Sequence, residues 1–163
     1  MNKHIIILQN LIMGGVIPGK MRNLLLKLFG HHISSLYPSC KFGLGKGHLY
    51  MGIKSYCNYG CFFDLGESIY IGNNVAVGMN VKFITTSHEI GQSSRRASIP
   101  VRKPIYVGDG SWIGADTTIL PGVKIGKGVV IGAGSLVTRD LDDNCLYVGR
   151  PAYKKKELEY NEA

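Results

Sequence analysis

The most restrictive feature of this sequence is a six-residue period. Between Val107 and Val137 an aliphatic residue recurs at Val107, Ile113, Ile119, Ile125, Ile131 and Val137, and Gly follows four of the six. A period of six fits neither a helix nor an ordinary antiparallel strand pair. It suits a chain that makes a short strand, turns a corner and repeats, with three strands to each full coil. The aliphatic residue then points to the axis each time, and Gly lets the corner reach φ values closed to other residues. Successive coils would lie about 4.8 Å apart, the spacing of hydrogen-bonded strands. The expected fold is all-β, a left-handed parallel β-helix of hexapeptide repeats.

The phase extends upstream through Ile53, Tyr59, Leu65, Ile71, Val77 and Phe83. It lapses between Phe83 and Val107, a whole multiple of six, so the coil is expected to extrude a loop over about 84–106 and resume in phase. Ahead of the β-helix, assigned to 39–150, residues 1–38 read as an N-terminal helical cap segment. Lys20–Phe29 is the predicted helix, with Pro18 before it and Gly30 as a stop. Met21, Leu24, Leu25 and Leu28 share one of its faces. Two readings stand: a helix covering the bare strand edges of the first coil, or a basic amphipathic helix in contact with a membrane surface. Residues 151–163 form a C-terminal tail, in which Lys154–Glu159 is the predicted terminal helix.

A chain of 163 residues with these boundaries is one domain with appendages. Its net charge of +8 points to anionic partners, among which charge alone does not choose. No Lys/Arg block exceeds three residues and no zinc-finger spacing occurs, so a dedicated nucleic-acid role is set aside. Cys40, Cys57, Cys61 and Cys145 contain no C-x-x-C, and the apolar stretch Ile5–Ile17 lacks a signal-peptide exit. That stretch is broken by Gln9, Asn10, Gly14 and Gly15 and is shorter than the roughly 20 residues of a membrane span. The expectation is a cytoplasmic protein with reduced thiols.

Several motifs accompany the repeat: T-S-H at Thr86–His88, W-I-G-A at Trp112–Ala115, I-L-P-G-V at Ile119–Val123, I-G-A-G-S at Ile131–Ser135 and G-R-P-A at Gly149–Ala152. Together they resemble the hexapeptide-repeat acyltransferases, and more closely the branch of sugar O-acetyltransferases. The opening Ile17–Gly30 is similar to enzymes that acetylate capsule or other surface polysaccharides. The resemblance implies acetyl-coenzyme A as co-substrate, a sugar or glycan acceptor, no metal, and a homotrimer with each active site in a groove between neighbouring β-helices.

It also implies roles for individual residues. His88 matches the catalytic histidine, and a histidine suits the task because it titrates near neutrality. Ala115, Ala133, Thr138, Arg139 and Lys156 fall at coenzyme-contact positions, although Tyr153 stands where a related enzyme has Arg. Trp112 either packs on the pantetheine arm or anchors a neighbouring subunit. Asn58 is the acceptor-binding candidate, displaced from strict alignment, which puts Gly60 there. Arg95, Arg96, Arg102 and Lys103 either face solvent or bind an anion. Three functions compete: O-acetyl transfer to a sugar or surface-polysaccharide precursor, N-acetyl transfer to an amino sugar, and a non-catalytic β-helix scaffold. A zinc hydrolyase on the same fold would need three converging histidines, and His88 is the only histidine after the less regular N-terminal part that holds His4, His31, His32 and His48.

Overall fold

The computed structural model describes residues 3–159. Two helices, α1 (Lys3–Ile12) and α2 (Gly19–Lys27), precede a stack of short parallel strands wound into the expected β-helix. Three faces run along it. The first holds Leu49–Met51, Ile69–Ile71, Ile105–Val107 and Lys124–Ile125. The second runs from Ser35–Leu36 through Tyr56–Cys57, Ala76–Val77, Trp112–Ile113 and Val130–Ile131 to Cys145–Val148. The third holds Lys41–Phe42, Phe62–Phe63, Lys82–Phe83, Thr118–Ile119 and Leu136–Val137.

Register explains where the period holds and where it slips. Val107 pairs with Ile125, Ile113 with Ile131 and Ile119 with Val137, so these coils are 18 residues long. Leu49 pairs with Ile69, Cys57 with Val77 and Phe63 with Phe83, so the earlier coil takes 20 residues. The two extra residues lie in the corner between Phe63 and Ile69, and upstream of it the expected phase is wrong. Ile53 and Tyr59 are 71% and 49% exposed, whereas Met51, Cys57 and Phe63 face the axis. Leu65 stays buried because the enlarged corner folds it inward. Downstream the expectation is right: Ile71 pairs with Val107 across 36 residues, so the chain leaves for one coil's length and resumes in phase.

One corner shows why glycine is common without being obligatory. Gly60, Asn80, Asp116 and Gly134 occupy equivalent positions on successive coils, with φ of 72, 57, 58 and 72°. Only Gly, Asn and Asp enter this left-handed region readily. Inside, Phe42, Phe63 and Phe83 stack with centroids 5.7 and 5.3 Å apart. The later coils replace rings with Ile119 and Val137.

Both ends are covered. The helices pack on each other and on the first coil, joining the core through Ile12, Met13 and Leu26. α2 meets the first coil with a face other than the expected Met21–Leu28 side, although Leu25 still packs against the core. Arg22 and Leu26 are buried, and Met21, Leu24 and Leu28 are exposed. The Arg22 guanidinium donates to the Leu36 carbonyl, which ties α2 to the first strand. At the other end the predicted terminal helix is a strand. Tyr153–Glu157 runs antiparallel along Cys145–Val148. Every residue of it is exposed, so as a helix it would bury no apolar face, and short helices are marginal without one. Pairing a bare edge is worth more. The end of the assigned tail, 160–163, lies outside the described residues, as do residues 1–2. Among the described residues no helix is long and apolar enough to cross a membrane.

His31 closes the gap between the helices and the first coil. It is fully buried, its ring stacked on Phe42 at 4.9 Å. Nδ1 accepts the Leu49 N–H at 3.0 Å, and the Gln9 side-chain amide lies 3.1 Å from Nε2. Burial first, then the neighbouring His48 and His32, pushes its pKa down to about 4. The unfolded chain takes up a proton here from about pH 6.5, the folded chain only near pH 4. Stability from this group is therefore complete above pH 6.5 and declines by about 3 kcal/mol as pH falls to 4. Urea unfolding of wild type and His31→Gln across that window should show a smaller slope in the variant. Equal slopes would clear His31 as the source.

Candidate active site

The extruded segment is a β-hairpin rather than an irregular loop. Thr86–Ile90 and Ala97–Arg102 pair antiparallel, with His88 opposite Pro100, and Gln92–Arg95 form the turn. Arg96 Nη1 donates to the Gly91 carbonyl at 3.1 Å, so one tip arginine braces the turn. His88 and Glu89 are both exposed on the outgoing strand. Among the described residues no hydrogen bond holds the His88 ring, and its position is set by the backbone.

That backbone is clamped at its root by a residue that motif reasoning did not single out. The Asp64 carboxylate accepts the N–H groups of Thr86 at 2.8 Å, Thr85 at 3.1 Å and Gly66 at 3.3 Å. The buried Thr85 hydroxyl donates back to the Asp64 carbonyl. Asp64 thus fixes the chain two residues before His88, and the signal in the sequence was the enlarged corner it begins. Hydrogen bonds to a charged acceptor contribute about 1.5–3 kcal/mol. We expect Asp64→Ala to lower kcat roughly tenfold to a hundredfold with a smaller change in KM, because misplacement of reacting groups acts on the chemical step. Amide exchange at Thr85 and Thr86 should rise in parallel. Unchanged exchange would remove the clamp from the argument.

The remaining candidates fall at two corners. Val137 stacks on Ile119, and Ile119 on Phe83, where the hairpin leaves. Thr138 and Arg139 therefore sit about 10 Å, two coil spacings, along the axis from the hairpin root. Both are exposed. The corner between the second and third faces carries the other set. Ala115 and Ala133 hold equivalent positions on successive coils, and the Ala115 carbonyl accepts the Gly134 N–H at 2.8 Å. A Cβ on Gly114 would meet the Ala133 nitrogen at 2.5 Å, whereas one on Gly134 would meet nothing within 4 Å. The corner is tight inside and open outside Gly134, so a ligand can approach the backbone there.

Trp112, 59% exposed, lies on the outer side of the second face. It shares one cross-strand row with Val130, Leu146 and Lys156, three strands away. Lys156 follows Lys154 and Lys155 and precedes Glu157, to which Lys154 is bound at 2.9 Å. Asn58 belongs to the corner of Ala115 and Ala133, where its Oδ1 accepts the Tyr59 N–H at 2.8 Å and so stabilises the turn. Within one chain, then, His88, Asp64, Thr138 and Arg139 form one group, and Asn58, Trp112, Ala115, Ala133 and Lys156 another, with the third face between them. Among the described residues no cluster of three His, Cys, Asp or Glu side chains could hold a metal ion.

A family profile described as Bacterial transferase hexapeptide (six repeats) matches residues 104–139. A galactoside O-acetyltransferase of Lactococcus lactis is 33% identical over 143 residues, covering 86% of this chain and 69% of that protein. The chain belongs to the hexapeptide-repeat acetyltransferases. Solved members of this acetyltransferase family share the architecture described above. A Vibrio cholerae hexapeptide-repeat acetyltransferase, crystallised with acetyl-coenzyme A, superposes with a TM-score of 0.83 at 31% identity over 93% of this chain and 84% of that one. A maltose O-acetyltransferase from Clostridium difficile gives 0.84 at 29% identity over 97% and 87%. A Schizosaccharomyces pombe protein described provisionally as an acetyltransferase is 42% identical over 112 residues, 69% of this chain. This chain spans about half of that yeast relative, 54% of its length.

Proposed function

We propose that this protein transfers the acetyl group of acetyl-coenzyme A to a hydroxyl of a sugar or surface-polysaccharide precursor, with His88 as general base. The observation that carries the reading is His88 itself. In a chain of this family, it is the histidine on the one segment ejected from the coil, and its root is clamped by Asp64. Acceptor oxygen attacks the thioester carbonyl carbon as the His88 imidazole takes the hydroxyl proton. The oxyanion that forms is stabilised by backbone N–H donors, for which the open corner at Ala115 and Ala133 is suited. Collapse breaks the carbon–sulfur bond, the imidazolium returns the proton to the departing thiolate, and no acyl-enzyme forms. Trp112 and Lys156 would hold the pantetheine arm and the phosphates, and Thr138 and Arg139 a further stretch of the co-substrate.

The two residue groups lie on different corners of one chain, which favours a homotrimer in which one copy's hairpin corner meets its neighbour's Ala115 and Ala133 corner. Asn58 would then reach the acceptor from the neighbouring copy. Release of free thiol from acetyl-coenzyme A, measured with wild type and His88→Ala across sugars, amino sugars and serine, tests the proposal. Histidine-dependent release with a sugar hydroxyl supports it. Release with amino sugars alone would make the reaction N-acetylation, and failure to bind coenzyme A would sink the enzyme reading.

A further inference from the structure

Charge is distributed along this molecule very unevenly. Lys3, Lys20, Arg22, Lys27, Lys41, Lys46 and Lys54 precede the first acidic residue, Asp64. From Asp64 onward, 12 basic residues face 11 acidic ones. Nearly all of the net charge of +8 therefore sits at the end of the solenoid that the two helices cover. Arg22 is buried, but Lys3, Lys20, Lys27, Lys41, Lys46 and Lys54 are exposed.

The same end carries the largest concentration of exposed aliphatic side chains. On α1, Ile7, Leu8 and Leu11 form a stripe about 100° wide beside the buried Ile6, Gln9 and Ile12. On α2, Met21, Leu24 and Leu28 form a second stripe, with Leu24 62% and Leu28 77% exposed. Val16, in the turn between the helices, is 94% exposed. Ile5, Leu28 and Phe29 line a shallow groove with Lys46 and His48, so apolar and basic groups are interleaved. A cap that only closed the coil would need the inner stripes alone.

We propose that the helical cap is a docking surface for an anionic lipid bilayer. Two helices of about 15 and 13 Å would lie in the interfacial plane, with their outer aliphatic stripes among the acyl chains and their lysines at the headgroups. Each component of the surface excludes a rival occupant. Nucleic acid or an acidic glycan would use the lysines and leave the aliphatic stripes in water. A second copy would bring two acid-free, lysine-rich ends together against mutual repulsion. A lipid surface satisfies both. The inference does not rest on the transferase reading, which concerns the opposite group of residues.

The full chain should sediment with vesicles of phosphatidylcholine containing about a third phosphatidylglycerol, and roughly tenfold less with phosphatidylcholine alone. High salt should weaken binding. The combined variant Met21→Ser, Leu24→Ser, Leu28→Ser should bind the mixed vesicles roughly tenfold less while retaining its circular dichroism and coenzyme A binding. The milder pair Lys20→Gln and Lys27→Gln, which touches no buried residue, should reduce binding severalfold and serves if the triple variant misfolds. Absence of binding to mixed vesicles would overturn the proposal. So would a triple variant that binds like wild type, since charge alone would then suffice. A triple variant whose mass by light scattering falls would assign the stripes to contact between copies instead.

Discussion

His88→Ala is expected to lower acetyl transfer by about 10²–10⁴-fold, the usual contribution of a positioned general base. The loss should fall on kcat, with coenzyme A affinity and oligomeric mass unchanged. The structural reason is that His88 is exposed on a hairpin outside the coil stack, with no hydrogen bond from its ring among the described residues. Removing the imidazole leaves no cavity and no unpaired partner, so any rate loss is chemical. His88→Gln makes the test sharper, because it keeps a polar side chain of similar reach and lacks a basic nitrogen. Recovery of near wild-type turnover by either variant would defeat the mechanism.

The second large effect concerns stability. Phe63→Ala should destabilise the fold by about 3–5 kcal/mol, the range for truncating a buried aromatic ring. Phe63 is fully buried and stacks between Phe42 and Phe83, so its loss opens the middle of an aromatic column inside the prism. The neighbouring coils are tied through backbone bonds such as Asp64 N–H to the Phe83 carbonyl at 2.9 Å, which limits collapse into the gap. Phe63→Leu should cost much less, because it retains most of the volume. The urea midpoints of the two variants decide the matter. Since Asp64 follows Phe63 directly, the alanine variant should also loosen the hairpin root.

The reach of the sequence reading follows from how regular each segment is. Val107–Val137 was legible because coils of 18 residues keep a period of six through every corner. Ile53 and Tyr59 were misplaced because the corner after Phe63 is two residues longer than its regular counterpart after Ile119, which shifts the phase, and within it Leu65 is buried and Asp64 is bonded. The hairpin was legible as an insertion but not as paired strands. Its exposed residues carry no burial alternation, and Pro100 argues against a strand except at an edge. In α2 the run L-L-L-K-L supplies apolar residues to either side, so pattern did not choose the inward face. The choice depended on Arg22 finding the Leu36 carbonyl. The motif put His88 at the start of the extruded segment, and the structure places it on the outgoing strand of the hairpin. The division of the remaining candidates between two corners was not legible, because it depends on which face each repeat occupies.

The covered ends carry a consequence for assembly. A parallel coil stack is self-complementary: the exposed edge of its last coil matches the exposed edge of its first, in the same direction and at the same spacing. Such a head-to-tail contact does not close, and it would grow into a filament. Charge would encourage it here, since the first end is acid-free and the last corner carries Asp140, Asp142 and Asp143. The cap helices cover the first edge, and Tyr153–Glu157 replaces the parallel edge of Cys145–Val148 with one that runs the opposite way. They act as terminators, and they keep a fold built by repetition from repeating between molecules.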